Sequence, residues 1–247
     1  MKNFLLTVIV ILGCVITVQA ESMDAEYRIS FGFLGELGRA KAHLERNGEN
    51  YRIEIEGRAT GIAKSLSKNR REKQVSEGHI VNGLLIPDRY TIVRSYGNKV
   101  IEKCYTIDHI DKTVMRSDVR KTDGKIVWQE QKRTDFYAEN DLLTLYFNMA
   151  QLIPDKEKSA SYKFKALGAE KQKGDVEVIV MDKTTGKLYE NELGSRGYWY
   201  LTAIIHQKIF SSSRGELLLS VDEEGITDKA VLKDVMLFGD IRAERIK

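Results

Sequence analysis

Apolar and polar residues alternate one by one along most of the chain, and short turn sequences interrupt that alternation. Tyr27–Phe33 and Tyr51–Glu56 show it most clearly, with an apolar residue at every second position. This period buries one face of a strand. Asn47-Gly48, Asn82-Gly83 and Asp123-Gly124 supply residues that tolerate the positive φ of a tight hairpin. The sequence therefore predicts an all-β protein whose antiparallel strands form a curled sandwich or partly open barrel.

The same pattern predicts most strand positions. Strands are expected at Tyr27–Phe33, Arg39–Glu45, Tyr51–Glu56, Val75–Val81, Leu84–Tyr96, Lys99–Ile107, Thr113–Lys121, Ile126–Arg133, Ser161–Leu167, Asp175–Met181, Lys187–Glu192, Tyr198–Ile205, Glu216–Val221, Ala230–Phe238 and Asp240–Ile246. Pro87 predicts a bend or bulge within its strand, because proline has no N–H to donate to the ladder. The three-residue spacing of Gly32, Gly35 and Gly38 predicts a bulged or tightly turned link between the first two strands.

Two segments depart from the alternation. Asn140–Ile153 predicts one principal helix, with Asn140 as the N-cap, Asp141 near the positive end of the helix dipole, and Pro154 after the last turn. One face of this helix is apolar, so we expect it to pack across the sheet or to plug its open side. Gly61–Lys68 is expected to form a short helix or an ordered loop.

The first 20 residues have the layout of a secretory signal. A single lysine precedes an apolar run, and Val18-Gln19-Ala20 places small residues where signal peptidase cleaves. We expect cleavage between Ala20 and Glu21, followed by one β-rich domain over residues 21–247 in the periplasm. Lipidation at Cys14 is the alternative, and it would tether the protein to the envelope membrane. An uncleaved anchor is disfavoured, because the apolar run is shorter than the roughly 20 residues that a spanning helix needs.

Charge and cysteine content restrict the class of function. The chain has 39 basic and 36 acidic residues, and so even a balance argues against a nucleic-acid partner. Cys104 is the only cysteine after residue 20, which leaves no partner for an internal disulfide. Since it lies in a predicted strand, Cys104 is expected to be a small buried filler rather than a redox group.

No catalytic or metal-binding motif is present. The histidines stand apart from one another without metal-ligand spacing: His43, His79, His109 and His206. The chain lacks a G-x-S-x-G nucleophile motif, and Ser211–Gly215 predicts a turn. Asp108-His109 and Asp111 are expected to form a turn rather than an acid–base pair. We therefore expect no enzyme activity, no cofactor and no metal.

Three further clusters of residues are expected to have structural roles. Asp222, Glu223 and Glu224 lack the ligand spacing of a calcium loop and predict a solvated acidic turn. Lys68–Lys73 is expected to be a charged edge strand, with contact to anionic lipid or a partner as the alternative. Tyr198-Trp199-Tyr200 predicts an aromatic core, with the wall of an apolar cavity as the alternative.

Short motifs distributed over nearly the whole chain resemble an exported bacterial family of unknown function, domain family 3108. They include Tyr27-x-Ile29-x-Phe31-Gly32, Pro87-Asp88-Arg89-Tyr90, Asp141-Leu142-Leu143, Leu219-Ser220-Val221-Asp222 and Phe238-Gly239-Asp240-Ile241. Thr227 stands where that family often has proline. The resemblance implies a β-rich periplasmic or outer-membrane-associated protein, and it carries over no catalytic residues.

These observations favour a non-catalytic periplasmic binding protein that holds an apolar ligand or lipid in a concave sheet. The alternative is an envelope protein–protein interaction or assembly module, and an envelope hydrolase comes third. The expected partners are an apolar small molecule or an envelope protein. Contact with the membrane is expected only if Cys14 is lipidated.

Overall fold

The computed structural model describes residues 21–169, 173–194, 197–205, 215–235 and 239–247. Four predictions concern residues outside these ranges: cleavage after Ala20, lipidation at Cys14, the surroundings of His206, and the turn at Ser211–Gly215 up to its last residue. The described chain contains fifteen strands, three α-helices and one 3-10 turn.

The strands are β1 (Glu21–Phe31), β2 (Gly35–Asn47), β3 (Asn50–Ala59), β4 (Arg71–Val81), β5 (Leu84–Tyr96), β6 (Lys99–Asp108), β7 (Thr113–Thr122), β8 (Lys125–Arg133), β9 (Asn140–Asp141), β10 (Ala160–Leu167), β11 (Asp175–Met181), β12 (Trp199–Ile205), β13 (Gly215–Val221), β14 (Thr227–Val235) and β15 (Gly239–Arg245). The helices are α1 (Gly61–Leu66), α2 (Leu142–Leu152) and α3 (Lys183–Leu193), and the 3-10 turn is Gly32–Leu34.

All fifteen strands belong to one continuous sheet. Its order is β8-β7-β6-β5-β4-β3-β2-β1-β15-β14-β13-β12-β11-β10-β9, so the first and last strands are neighbours in the middle. Neighbouring strands are antiparallel, except that β9 and β10 are parallel. The predicted all-β class and the open, curled antiparallel architecture are confirmed.

Turn chemistry explains the regular meander of the first eight strands. Both residues of Asn82-Gly83 and of Asp123-Gly124 have positive φ, and in the β2–β3 turn Gly48 does. Opposite Pro87 the register of β4 and β5 shifts, which confirms the predicted bulge. A Cβ on Gly78, the partner of Pro87, would overlap the carbonyl oxygen of Ile86, so the bulge requires glycine here.

One predicted strand is wrong, because Lys187–Glu192 lies within α3. Its flanking Thr184-Thr185-Gly186 indicates a turn when read locally. Instead, the Asp182 carboxylate caps the helix by accepting a 2.7 Å hydrogen bond from the N–H of Thr185. Gly186 lies against the ring of Tyr200, where a Cβ would come within 3.0 Å of a ring carbon. Tertiary packing of the helix on the sheet therefore outweighs the local turn signal.

The interpretation of Lys68–Lys73 as a charged edge strand is also wrong. Arg71 begins β4, which lies inside the sheet between β3 and β5. Lys68 and Asn69 form a turn with positive φ after α1. The edges of the sheet are β8 and β9, and every residue of β8 is exposed.

Helix α2 packs inside the curl of the sheet, as predicted. Leu143 belongs to a buried cluster under β3–β7, which we call the tyrosine cluster because Tyr51, Tyr90 and Tyr105 are its largest members. Met149 belongs to a second cluster built around Trp199 of β12. The helix therefore joins the two halves of the concave face. Its N-cap is Asp141 rather than the predicted Asn140.

Hydrogen bonds from side chains of α2 and its N-cap, rather than strand pairing, connect β4 and β5 to the helix and so hold the sheet in its curl. The backbone of β5 extends past β6 from Arg89 towards Leu84. There, Leu85 donates its N–H to Asn148 Oδ1 and accepts from Asn148 Nδ2, both at 2.9 Å. Asp141 of β9 accepts a 2.5 Å hydrogen bond from Ser76 Oγ of β4. The Asn148 amide thus replaces a neighbouring peptide group, and the sheet curls without closing into a barrel.

Candidate functional site

An apolar groove of about 400 Å³ lies between α2 and the middle of the concave face. We call it the apolar groove throughout. Its lining residues are Met23, Tyr27, Ile29, Ala40, Lys41, Ala42, Ile55, Tyr146, Phe147, Leu217, Leu219, Ile226, Thr227, Ala230 and Ala243. They come from β1–β3, from β13–β15, from α2 and from the turn before β14. The volume falls within the roughly 300–1,000 Å³ of small-molecule sites.

Alanine at inward positions is the reason that this space is unfilled. Ala230 of β14 lies directly opposite Ala243 of β15, and Ala40 of β2 lies opposite Tyr27 of β1. Ala40, Ala230 and Ala243 are all half-exposed although they line the inside of the curl. Protein interiors normally pack to crystal-like density with few voids larger than water. A row of small side chains on a concave sheet therefore leaves room for a molecule that the chain does not supply.

The hydroxyl groups at the groove are already hydrogen-bonded within the protein. The Tyr27 hydroxyl donates to the Thr227 carbonyl oxygen at 3.0 Å. The Tyr146 hydroxyl accepts from the Thr227 N–H at 2.8 Å and pairs with Thr227 Oγ1, also at 2.8 Å. Burial raises the pKa of both Tyr27 and Tyr146, so neither phenol ionises near neutral pH. The wall they form is consequently uncharged, and it demands no polar partner from a ligand.

A polar recess adjoins the groove. It has a volume of about 430 Å³ and shares Met23, Phe147 and Ile226 with the groove. Its other walls carry charges of both signs, including Arg46 and Glu224. Arg46 is held by Glu21 at 3.0 Å, and both of these side chains are accessible to solvent. The groove is thus an apolar space and the recess is a polar space beside it.

The aromatic triplet does not line the groove. Trp199 is buried in its own cluster with Met149 and Ile153, whereas Tyr198 is exposed. Tyr200 packs with α3, and its hydroxyl donates to the Gly194 carbonyl oxygen at 2.7 Å. The prediction of an aromatic core is therefore confirmed for Trp199.

The structure brings two of the four histidines together. The rings of His79 and His109 are 6.2 Å apart between centroids. His79 Nδ1 lies 3.1 Å from Asp88 Oδ2, while His109 bridges the Tyr137 hydroxyl and the Pro87 carbonyl oxygen, each at 2.8 Å. His109 thereby ties the β6–β7 turn to the extended end of β5. In the part of the chain that is described, no three His, Cys, Asp or Glu side chains are placed to hold a metal ion.

The acidic residues of the candidate acid–base pair and of the candidate calcium loop stabilise turns. Asp108 Oδ1 accepts from the N–H groups of Ile110 and Asp111, at 3.0 and 2.9 Å. Asp222 Oδ1 accepts from the N–H groups of Glu224 and Ile226 in the turn between β13 and β14. Both acidic segments are therefore turns, as predicted.

Cys104 lies in β6 as predicted, although it is half-buried rather than fully buried. Thr91 Oγ1 of the neighbouring strand lies 3.6 Å from its sulfur atom. The residue contacts neither the groove nor the recess.

The sequence did not predict that Asp141 is a buried acid. Asp141 is fully buried, and its carboxylate accepts from Ser76 and from the N–H groups of Leu143 and Thr144. Burial raises its pKa to about 6, against the lowering effect of these hydrogen bonds. Tyr51 pairs with Ser76 at 2.9 Å and extends the network. The surrounding core shuts this carboxyl off from any substrate, and it caps α2.

The groove itself was also missed by sequence reasoning. Its residues are spread from Met23 to Ala243 and meet only because β1 pairs with β15. Alanine at inward positions of several strands was the available signal. Alternation shows which positions face inward, but it does not show which strands become neighbours across the curl.

A curled, largely antiparallel sheet that encloses a helix and an apolar groove defines a β-barrel-like class of protein. The chain belongs to DUF3108, a family of proteins of unknown function whose model matches residues 26–244. In fold it is similar to a β-barrel-like protein of domain of unknown function DUF1849 from Brucella abortus, known from a crystal structure. That likeness has a TM-score of 0.52 at 11% identity and covers 91% of this chain and 95% of the other. No curated protein is significantly similar to the chain.

Proposed function

We propose that the protein is a non-catalytic carrier that holds a single-chain amphipathic molecule, with its alkyl chain in the apolar groove and its polar end in the recess. The observation that carries this proposal is the unfilled, almost wholly apolar space between α2 and the alanine-lined part of the sheet. Burial of one methylene group contributes about 0.8 kcal/mol. A chain of several methylenes therefore supplies substantial affinity without any directed polar contact.

The absence of a directed contact also fits binding better than catalysis. Tyr27, Tyr146 and Thr227 satisfy one another at the groove, and among the described residues no histidine, cysteine or acid lines it. The proposal places the protein in the periplasm after removal of residues 1–20, and its support is the layout of that segment. No helix among the described residues is long and apolar enough to cross a membrane.

Filling the groove tests the proposal. Ala230→Leu and Ala243→Leu each add a branched side chain to the groove wall, whereas Ala160→Leu makes the same change at a half-exposed position of β10, outside it. Protein purified after export is titrated with a fluorescent fatty-acid analogue, which is then displaced by palmitate. Native mass spectrometry of the same sample reports any small molecule that co-purifies. We expect saturable binding in the parent and in Ala160→Leu, and at least about tenfold weaker binding in the two groove variants.

The proposal fails if palmitate and the analogue do not bind, or if the groove variants bind them as well as the parent does. A folded control is needed for each variant, because a leucine that unfolds the sheet would also abolish binding. Circular dichroism and the denaturation midpoint supply that control.

The bare edge of β8 favours a second candidate function, an interaction module. All nine residues of β8 are exposed, and no strand of the described chain pairs with its outer side. Lys125, Lys132 and Arg133 outnumber the single acid, Glu130. Like charges on two copies oppose self-pairing, so the fitting occupant is an extended acidic strand from another envelope protein.

A synthetic peptide that alternates valine with glutamate tests this second candidate. We expect it to bind with an affinity that falls when Lys132→Glu and Arg133→Glu are combined and stays unchanged in Lys158→Glu, whose lysine is exposed elsewhere. If the peptide does not bind, the acidic-strand partner is refuted. It is also refuted if the parent dimerises as its concentration rises and the combined variant does not, because β8 would then pair with a second copy of the chain.

A further inference from the structure

A short segment at one end of the sheet combines exposed apolar side chains with unpaired cations. We call residues 61–71 the α1 tip. Ile62 and Leu66 of this helix are 63% and 80% exposed. Leu34, in the 3-10 turn that leads into β2, is 38% exposed, and α1 packs on β2. Isolated exposed apolar residues are normal on protein surfaces, but a group of this kind marks an interaction site.

The cations of the α1 tip lack compensating acids. Lys64, Lys68 and Arg71 are exposed and form no ion pair with any described residue. Arg70 differs, because it shares Glu72 with Arg94. Elsewhere on the sheet surface most basic side chains are paired, as in the contact between Lys73 and Glu54 at 2.6 Å. Three uncompensated positive charges therefore lie in the same short segment as the exposed apolar residues.

The topology adds further positive charge at the same end. In an antiparallel meander, alternate connections lie at the same end of the sheet. The connections after β1, β3, β5 and β7, each taken with the residue that follows, carry six basic residues and one acid: Lys64, Lys68, Arg70, Arg71, Lys99, Lys125 and Asp123. The connections after β2, β4 and β6, counted the same way, carry Glu49, Asp111 and Lys112. One end of this half of the sheet is thus basic and the other is weakly acidic.

Backbone hydrogen bonds hold the α1 tip in position. The Thr60 N–H donates to the Leu37 carbonyl oxygen at 2.9 Å, which ties the start of α1 to β2. After the helix, the Asn69 N–H donates to the Lys64 carbonyl oxygen, and the Gly97 N–H to that of Lys68, both at 2.7 Å. The apolar and basic side chains are therefore displayed on an ordered support, which lowers the entropy lost on docking.

We propose that the α1 tip docks the protein on an anionic phospholipid surface. Ile62, Leu66 and Leu34 enter the interfacial layer, and Lys64, Lys68 and Arg71 lie against the lipid phosphates. This surface is separate from the apolar groove and requires no lipid attached at Cys14. The anionic bilayer is favoured over an acidic protein because exposed aliphatic residues at the end of a helix match an acyl layer bordered by phosphates.

Vesicle flotation tests this docking surface. Protein purified after export, with its N-terminus identified by mass spectrometry, is mixed with vesicles of phosphatidylcholine alone or of phosphatidylcholine and phosphatidylglycerol in equal parts. The quantity measured is the ratio of the bound fractions on the two kinds of vesicle, so a lipidated N-terminus does not mask the effect. We expect stronger binding to the anionic vesicles, weakened as salt is raised.

Matched variants separate the contributions. Removing one lysine, by Lys64→Gln or Lys68→Gln, is expected to weaken anionic-vesicle binding about fivefold. Leu66→Ser is expected to weaken it about tenfold. Ile110→Ser and Lys112→Gln make the same kinds of change at the opposite end of the sheet, where Ile110 is 94% exposed, and are expected to leave binding unchanged.

Equal binding to both kinds of vesicle overturns the proposal. So does parental binding by Leu66→Ser and Lys68→Gln, or an equal loss in Ile110→Ser. The groove variant Ala230→Leu is included because it should float like the parent. Loss of palmitate binding in Ala230→Leu therefore tests the groove proposal alone, and vesicle flotation tests the α1 tip.

Discussion

The concave face of the sheet is filled in one region and open in another, although the same backbone geometry runs through both. Under β3–β6, Tyr51, Ile53, Tyr90 and Tyr105 are at most 4% exposed and pack in one cluster with Leu143 of α2. In the middle of the sheet several inward positions carry alanine, and a groove of about 400 Å³ remains. Side-chain volume at inward positions therefore decides where this sheet forms a core and where it leaves an open groove.

The comparison also shows how much each region contributes to stability. In the tyrosine cluster the rings of Tyr90 and Tyr105 stack at 5.8 Å, so the loss of one ring leaves a cavity that its neighbours do not refill. The apolar groove is already an unfilled space in the intact protein. Substitutions in the two regions should therefore have effects of different size, and some of opposite sign.

Truncating the filled region should have the largest effect. We expect Tyr90→Ala to lower the free energy of unfolding by about 3–5 kcal/mol. Ile29→Ala, on the groove wall, should lower it by less than about 1.5 kcal/mol, because Ile29 is already half-exposed. Urea denaturation followed by circular dichroism measures both values. Equal losses would mean that the two regions do not differ in packing.

Removing the amide that joins α2 to β5 should have the next largest effect. Asn148→Leu leaves the N–H and C=O of Leu85 without their partner in a buried site. We expect a loss of about 2–4 kcal/mol in the same denaturation assay. Hydrogen exchange of the Leu85 amide should quicken by more than that of Ile53. Unchanged exchange at Leu85 would contradict the closing role of Asn148.

Neutralising the buried acid should change the pH dependence of stability. The folded-state pKa of Asp141, about 6, lies above its ordinary value of 3.8, because burial disfavours the charged form. The Asp141 carboxyl therefore contributes most to the free energy of unfolding at pH values below its unfolded-state pKa. That contribution is lost as the pH rises through its folded-state pKa. Between about pH 5 and about pH 7.5 the loss should be about 1–2 kcal/mol.

Asp141→Asn keeps a capping oxygen and removes the titration. We expect the unfolding free energy of this variant to lack the Asp141 part of the decline over the same pH range. A decline as steep as that of the parent would show that another group causes it.

Enlarging one alanine in each region should give unequal effects, and the smallest effect of all is expected in the groove. Ala138 is 1% exposed in the tyrosine cluster, so Ala138→Leu should lower the unfolding free energy by about 1–3 kcal/mol through overpacking. Ala230→Leu should change it by less than about 1 kcal/mol, because the groove has room for the added atoms. A loss in Ala230→Leu as large as that in Ala138→Leu would mean that the groove is too small to accept a ligand.

Local patterns in the sequence predicted most of the fold. Leu84–Tyr96 and Asp175–Met181 were predicted to the residue, because alternation and turn residues act within a hairpin. Helix α3 was missed because the signal from Thr184-Thr185-Gly186 was overridden by the Asp182 cap and by packing against Tyr200.

The candidate site was much less predictable, because it depends on contacts between distant parts of the chain. The two faces of the groove are more than 150 residues apart in sequence at Ala40 and Ala230. Asp141 and Ser76 are separated by 65 residues. Period-two alternation assigns each residue to a face, but partners across a curled sheet follow from the strand order, which alternation does not encode.

The pairing of β1 with β15 has a consequence for the order in which the molecule is assembled. Strands β1–β8 pair only with their neighbours in the chain, so the hydrogen-bond ladder of this half needs no later strand. The outer side of β1 finds its partner only when β15 has emerged, so that Tyr27 meets Arg245 and the backbone of Glu26 bonds with that of Ile246 and Lys247. Until then β1 is a second bare edge beside the unfinished groove. A chaperone that protects this protein during its biogenesis would therefore be needed longest at β1, and its release would coincide with the arrival of the final strand.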